Sequence, residues 1–588
     1  MNPAKIKTNS LYLNAIFLFF IFFSLFNYNY LFEDAYIYFR IVENFVAGHG
    51  YVFNPGDPHI ECGSSLTWFF LLTTIRVLGL PLLTGAKIAG IIFGALSIVI
   101  TYHIARIFIT DSTWRYAPCL LCVLSIPFLL GCQTGLETPV YVFSFLLMVL
   151  VCVNRDYFKY WPFAYFLLIL TRPEGMVIGM ALLPVFYFYR HRFKSIGYGI
   201  LLLGVLIGLL FALRLFYFHD LLPSAFYHKM HSGKFAYGFR YLYRFCLYHF
   251  IYLWTIPLLY VLAKRSNWTP QRCILFGFIC VQSLWVIVGT ADGTPFFRHI
   301  VPLIPLFFIY SISGIINTFS TFGQRQKLLL ASFCGLFGCT MLLFPPVVRW
   351  APYSHPKLSQ NIIFRNLCYA GHSPRAFLSD LRQRLKNPCF DPLHQQDRMV
   401  LTGEFIRRNY PPGTVLLYDQ MGRIPYQAGT EYCFIDSYGL TDRVIGRTLF
   451  YWQNSHDRLY GRYDRLSRRM VKKLFPDSVF CFSRQQILDY IFQKKPDVMV
   501  CFLLVRNPIV QLLAQDQRFK EQYRLACIVN ANIFFERKQL PRKTFDIPSE
   551  LTFFSQRMVA DPSFAHHPHV KSCKKHPWFC ACQLAPGS

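Results

Sequence analysis

The sequence predicts an α-helical polytopic membrane protein with a C-terminal α/β domain outside the membrane. Three observations lead there. The chain of 588 residues is 54% apolar and only 15% charged, with 61 phenylalanines, far too apolar for one soluble domain. Up to residue 346 it carries repeated apolar runs, many of them about 20 residues long, the length that crosses a bilayer. From 347 onward the composition turns polar and mixed.

The first run, "LYLNAIFLFFIFFSLFNYNYLF", has too long an apolar core for a signal peptide. No small-residue cleavage site follows, so it reads as an uncleaved anchor. Further runs fall at 86–108, 115–131, 137–153, 157–171, 174–189, 195–217, 243–263, 272–289, 299–318 and 327–346. With the first they make about eleven spans. The run 66–80, "LTWFFLLTTIRVLGL", carries Arg76 and is short for a bilayer, so it reads as a juxtamembrane helix.

Loop charge sets the orientation. "ARIFITDSTWR", "NRDYFKY", "YRHRFK", "AKRSNWTPQR" and "GQRQK" are short and rich in Lys and Arg, and Lys5 and Lys7 fall on the same side. The positive-inside rule makes that side cytoplasmic. The opposite loops, "GCQTGLET", "TRPEG", "FHDLLPSAFYHK" and "GTADGTPFFRH", carry acids and lone basic residues beside Gly and Pro. An odd span count from a cytoplasmic N-terminus exports the tail. Residues 1–346 then form the transmembrane domain, 347–560 an extracytoplasmic α/β domain, and 561–588 a disordered tail containing His and Cys. In the α/β part, "PGTVLLYDQMGRIPYQAG" and "KKPDVMVCFLLV" read as short strands with turns, and "SRQQILDYIFQ" as helix.

The formal charge of +29 is first a topological signal in such a chain. No basic stripe with interleaved aromatics marks a nucleic-acid partner. The 19 cysteines are scattered, many inside apolar runs, where a thiol acts as a small hydrophobe. Cys368, Cys389, Cys433, Cys481, Cys501 and Cys527 lie in the exported part, where some could pair. The tail "AHHPHVKSCKKHPWFCACQLAPGS" has no spacing that fits a closed zinc site.

Chemistry-bearing residues gather on the exported face. Glu33 and Asp34 follow the first run directly, where carboxylates are costly unless they face water or a protein cavity. One function is general base, taking the proton of an attacking hydroxyl. The plainer reading is a helix cap, with Asp34 binding free backbone N–H groups. Glu137, Arg172, Glu174, Lys229, Asp292 and Arg298 lie on the same face. The cations there suit a departing phosphate; taken singly, each also reads as interfacial snorkelling or a loop salt bridge.

"EDAYIYFRIVENFVAGHGYVFNPG" with "IECGSSLTW", "GLETPVYVF", "LTRPEG", "RLFYFHDLLPSAFYHK" and "ADGTPFFRHIVPLIPL" together resemble, in order, the motifs of bacterial GT-C superfamily polytopic glycosyltransferases. The likeness is nearest to the mycobacterial terminal β-(1→2)-arabinofuranosyltransferases. "YDQMGRIPYQAGTEYCFIDSYGLTD" resembles their exported segment, so the likeness spans roughly residues 30–500. The Phe, Tyr and His content also resembles, more loosely, LphB-type inner-membrane proteins of Legionella. The resemblance implies a GT-C fold, a polyprenyl-phosphate sugar donor, and an envelope glycan or lipid acceptor at the outer face of the bacterial cytoplasmic membrane. It implies a carboxylate base in the first outer loop, where Asp34 keeps the family's residue and Glu33 departs from it. It implies Arg172, Lys229, Arg298 and Arg40 as donor-phosphate ligands, and His49, Asn54, Glu61, Glu137, Glu174, Tyr227 and Asp292 as substrate-binding residues. A divalent metal ion could share the phosphate's charge. A flippase for a lipid-linked sugar would also gather charge near the membrane, but it would show internal repeats or helices broken at the midplane. A non-catalytic envelope scaffold would not need these ordered acidic and basic loops.

Overall fold

In the computed structural model, residues 3–26, 31–225, 235–248, 251, 268–289, 297–318, 324–343, 395–446, 484–502, 508–529 and 532–547 are described. Lys229, Tyr227, Asp292, Cys368, Cys389, Cys481 and the tail 561–588 lie outside them. Among the described residues three helices are long and apolar enough to cross a membrane. They are α4 (Leu82–Phe108), α11 (Phe193–Phe218) with its leading turn, and Pro270–Gly289. On α11, Leu201, Leu209 and Phe216 are exposed, which is the pattern of a face turned to lipid.

Several expected spans are shorter. The run 115–131 divides into α5 (Ala117–Leu124) and α6 (Ile126–Gly131). Pro127 is the cause: it lacks the N–H that a continuous helix needs. The run 157–171 gives α8 (Trp161–Thr171), only about 16 Å long at 1.5 Å per residue. Run 174–189 becomes α9 (Gly175–Ile178), a 3-10 turn, and α10 (Leu182–Phe188). The run 137–153 gives α7 (Thr138–Val153).

The segment that follows the first helix is fixed tightly. Phe32 N donates to Thr134 O at 2.9 Å. Gly135 (φ +73°) admits Leu31, whose Cδ1 would lie 2.3 Å from any Cβ there. Helix α2 (Ala35–Val46) buries almost every side chain. One side meets α3 (Leu66–Val77), with Phe45 and Phe69 rings 5.1 Å apart. Another meets the C-terminal domain, where Tyr426 packs on Tyr36 and Phe39 at 5.4 and 5.9 Å.

That domain holds a five-stranded sheet, β1 (Val415–Tyr418), β2 (Cys433–Asp436), β3 (Val498–Phe502), β4 (Tyr523–Val529) and β5 (Asn532–Arg537), in the order β2-β1-β3-β5-β4. β1 pairs in parallel with β2 and β3; β5 pairs antiparallel with β3 and β4. Helix Arg484–Gln493 forms where the sequence places one. "GRIPYQAG", read as strand and turn, forms helix Arg423–Ala428 instead.

Alternation on the strands gives the sheet two faces. Leu417, Ile435, Met499, Ile533 and Phe535 face outward onto Ile487, Ile491 and Leu513. Leu416, Phe434, Val498, Val500 and Phe534 belong to one apolar core continuous with the transmembrane helices. The C-terminal domain is therefore docked on the helical part through buried apolar surface.

Candidate active site

Glu33 and Asp34 lie just before α2, in a segment that meets both the helical part and the C-terminal domain. Asp34 immediately precedes α2 but makes no capping bond to it. Its side chain is 45% exposed, and Oδ2 lies 3.8 Å from Arg298 Nη1. Arg298 also lies over the Phe32 ring at 5.8 Å. Glu33 faces the other way. Gly422 presses on it so closely that a Cβ there would lie 2.4 Å from Glu33 Cγ. Burial above all, then the Asp34 charge, pushes the Glu33 carboxyl up to about 7; Arg423 pulls against them and Asp419 adds to them.

Behind Arg298 lies a dry ionic cluster. Arg172 Nη1 donates to Glu137 Oε1 at 2.9 Å and its Nε to Glu174 Oε1 at 2.5 Å. Ser64 Oγ donates to the same Glu137 oxygen at 3.2 Å. His299 Nδ1 lies 3.6 Å from Glu174 Oε1. Burial alone would raise the Glu174 carboxyl, but Arg172 and His299 hold it well below the ordinary range. A buried ion set of this kind costs desolvation, and it keeps Arg172 rigid beside Arg298.

Four expected ligands have other surroundings. Arg40 is fully buried. Its Nε donates to Phe53 O at 2.9 Å, and Nη1 to Pro425 O and Gly429 O, both at 2.7 Å. Its Nη2 donates to Tyr432 O at 2.6 Å and to Asn54 Oδ1 at 3.3 Å. Five donors meet five acceptors, which leaves none for a phosphate; Arg40 fastens α2 to the C-terminal domain. Asn54 pairs both ways with Phe434, accepting from its N–H and donating to its C=O, each at 2.9 Å. It thereby closes the free edge of β2. Glu61 is buried against Arg214 at 2.9 Å, and burial outweighs that cation to push its carboxyl up to about 7. His49 is exposed at the end of α2.

Asp419 and Arg423, which the sequence alone did not single out, lie within electrostatic reach of Glu33, and Lys87 lies within reach of Arg423. Asp419 follows β1 at the carboxyl end of a parallel strand, where open α/β sheets place ligand-facing residues. Arg423 begins the next helix and lies over the Tyr36 ring at 4.7 Å. Lys87, buried on α4, donates to Gln133 O at 2.5 Å and lies within electrostatic reach of Arg423. Asp419 carried a legible signal, the end of a predicted strand; Lys87 had only its place inside an apolar run. Among the described residues no three His, Cys, Asp or Glu side chains converge to hold a metal ion. Cys433 and Cys527 are free thiols.

Residues 391–552, which contain the five-stranded sheet, match a domain of unknown function (DUF8728). No curated protein matches the chain. Solved structures that share the fold include two of ArnT from Cupriavidus metallidurans. The one bound to undecaprenyl phosphate is 11% identical, with a TM-score of 0.51 over 91% of this chain and 98% of that one. The apo structure is 12% identical, with a TM-score of 0.51 over 90% and 98%. At such identity the likeness shows the fold.

Proposed function

We propose that this protein is an inverting membrane glycosyltransferase that takes a sugar from a polyprenyl-phosphate donor and passes it to an envelope glycan or lipid acceptor at the exported face. The observation that carries the reading is Asp34: half exposed, uncommitted to capping, and 3.8 Å from Arg298. Its setting is the fold of ArnT, a GT-C glycosyltransferase whose structure holds undecaprenyl phosphate. The ordered motifs of the arabinofuranosyltransferases and the eleven-span count with an exported tail belong to the same reading.

In it, Asp34 accepts the acceptor's hydroxyl proton as the oxygen attacks the sugar's anomeric carbon. The bond from that carbon to the phosphate oxygen breaks, and the phosphate leaves on its lipid. Arg298 faces the departing charge, with Arg172 held behind it by Glu137 and Glu174; Lys229 joins them. Such fixed cations in a dry site stabilise charge that develops only in the transition state. Exposure favours Asp34 over Glu33 as base, because a base must reach the hydroxyl before its pKa matters.

Asp34→Asn keeps the size and removes the basicity. Transfer by the purified protein should fall about 100-fold to 10,000-fold, while expression and donor binding stay close to wild type. Glu33→Gln should cost less. A helix cap would tolerate Asn as well as Asp, so near wild-type transfer by Asp34→Asn would remove this residue from the mechanism.

A further inference from the structure

At the ends of α7 and α8 away from Glu137 and Arg172, a groove of about 420 Å³ lies between the two helices. Leu147 and Val151 of α7 and Phe163 and Leu167 of α8 line it, with Tyr157 and Tyr160 from the segment that connects them. Tyr157, Tyr160 and Phe163 are exposed, so the groove opens outward rather than into the core. Leu147 lies about 9 Å before the end of α7 at 1.5 Å per residue. The apolar walls therefore run inward from a pair of tyrosines, the residue type that marks the membrane–water boundary.

Two basic turns meet at that tyrosine end. Lys159 Nζ lies over the Tyr160 ring at 5.0 Å. The Phe158 ring stacks on Tyr189 at 4.1 Å, and Arg192 Nη1 donates to Arg155 O at 3.1 Å. These contacts fasten the turn Phe158–Tyr160 to the turn Arg190–Arg192. Over 154–160 and 189–195, Arg155, Lys159, Arg190, Arg192 and Lys194 stand against a single acid, Asp156. Arg155, Lys159, Arg190 and Lys194 are exposed. Cations on such loops set topology, and by themselves they would attract any anionic surface. The adjoining groove adds a second requirement, an apolar chain attached to the anion.

We propose that the α7–α8 groove holds one anionic phospholipid of the bilayer, with an acyl chain between the helices and its phosphate on Lys159, Arg155 and Arg192. Basic pockets between membrane helices on the positively charged side recognise lipid head groups in this way. The polyprenyl-phosphate donor is excluded by position. The basic end of the groove lies a full α7 length, about 24 Å, from Glu137, whereas the donor phosphate belongs beside Arg298. The Glu137–Arg172 ion pair joins α7 and α8 at their other ends, so a lipid between them braces the two helices that carry this pair. The inference stands apart from the glycosyltransferase reading.

Native mass spectrometry of the full chain, released from nanodiscs of equal parts phosphatidylcholine and phosphatidylglycerol, tests the proposal. Wild type should retain one phosphatidylglycerol in preference to phosphatidylcholine. Lys159→Gln and Arg155→Gln should each lower that retention about fivefold, the worth of one cation near an anionic head group, and Lys159→Arg should restore it. Leu167→Trp fills the groove and leaves every cation in place, so it should abolish retention; Leu147→Phe does the same more gently if the Trp variant does not fold. Wild-type retention by a folded groove variant would mean that the turns merely attract anionic surface, which overturns the proposal. Retention without head-group preference, or no retained lipid, overturns it as well. Undecaprenyl phosphate added in excess should leave the phosphatidylglycerol in place; displacement would give the groove to the polyprenyl lipid and overturn the assignment.

Discussion

Asp34 and Glu33 are neighbours in sequence with opposite environments. Asp34 opens to solvent beside Arg298, and Glu33 is closed under Gly422. The pair was legible as chemistry because two adjacent acids beside an apolar run are rare without a function. Which acid faces outward was not legible, since the residues that cover Glu33 lie in the loop after β1. Arg40 shows the same gap more sharply. A cation on the exported face reads as a phosphate ligand, yet its acceptors are mostly carbonyls of residues 425–432. Arg40→Lys keeps the charge but loses the planar fork that reaches several carbonyls at once. We expect it to destabilise the docked domain by about 2–4 kcal/mol, given about 1.5–3 kcal/mol for each bond to a charged group and partial repair by the amine. Limited proteolysis of the C-terminal domain measures this; a wild-type cleavage rate would remove Arg40 from the clamp.

Among the elements, β1, β3 and helix Arg484–Gln493 form where the sequence places them, while β2, β4 and β5 were not read from it. Alternation in "TVLLY" and "DVMVCF" marks β1 and β3 because each strand has two apolar faces to fill. Hydropathy, by contrast, measures apolar length and is blind to continuity, so Pro127 split one run and the segment after Glu174 split another. The seam between the segment before α2 and the end of β1 has a pH dependence of its own. Burial pushes Glu33 and Asp419 each up to about 7. A carboxyl raised on folding contributes stability that is full below its unfolded value, about 4, and is lost as pH rises through its folded value. Hydrogen exchange in helix Arg423–Ala428 should therefore speed up between about pH 5 and pH 8 beyond its intrinsic chemical rate. Protection that grows over that window would contradict the assignment.

At the scale of the whole molecule, the boundary drawn at residue 347 separates two compositions that fold into one core. Leu416, Phe434 and Val500 share that core with α2 and α7. Composition sees the change in polarity, but it cannot see a docked face built from a few alternating strand positions. Orientation rests on loop charge. Reporter fusions after Tyr157 and Arg192 should read as cytoplasmic, and fusions after Thr134 and Gly413 as exported. A cytoplasmic reading at Gly413 would overturn the span count and the exported site together.

The most direct test of the glycosyltransferase reading is an experimental structure of the full chain in nanodiscs with undecaprenyl phosphate. The account predicts the lipid phosphate at the outer mouth, hydrogen-bonded to Arg298 and adjacent to the Asp34 carboxylate. A phosphate bound elsewhere, with Arg298 and Asp34 facing only water, would contradict it.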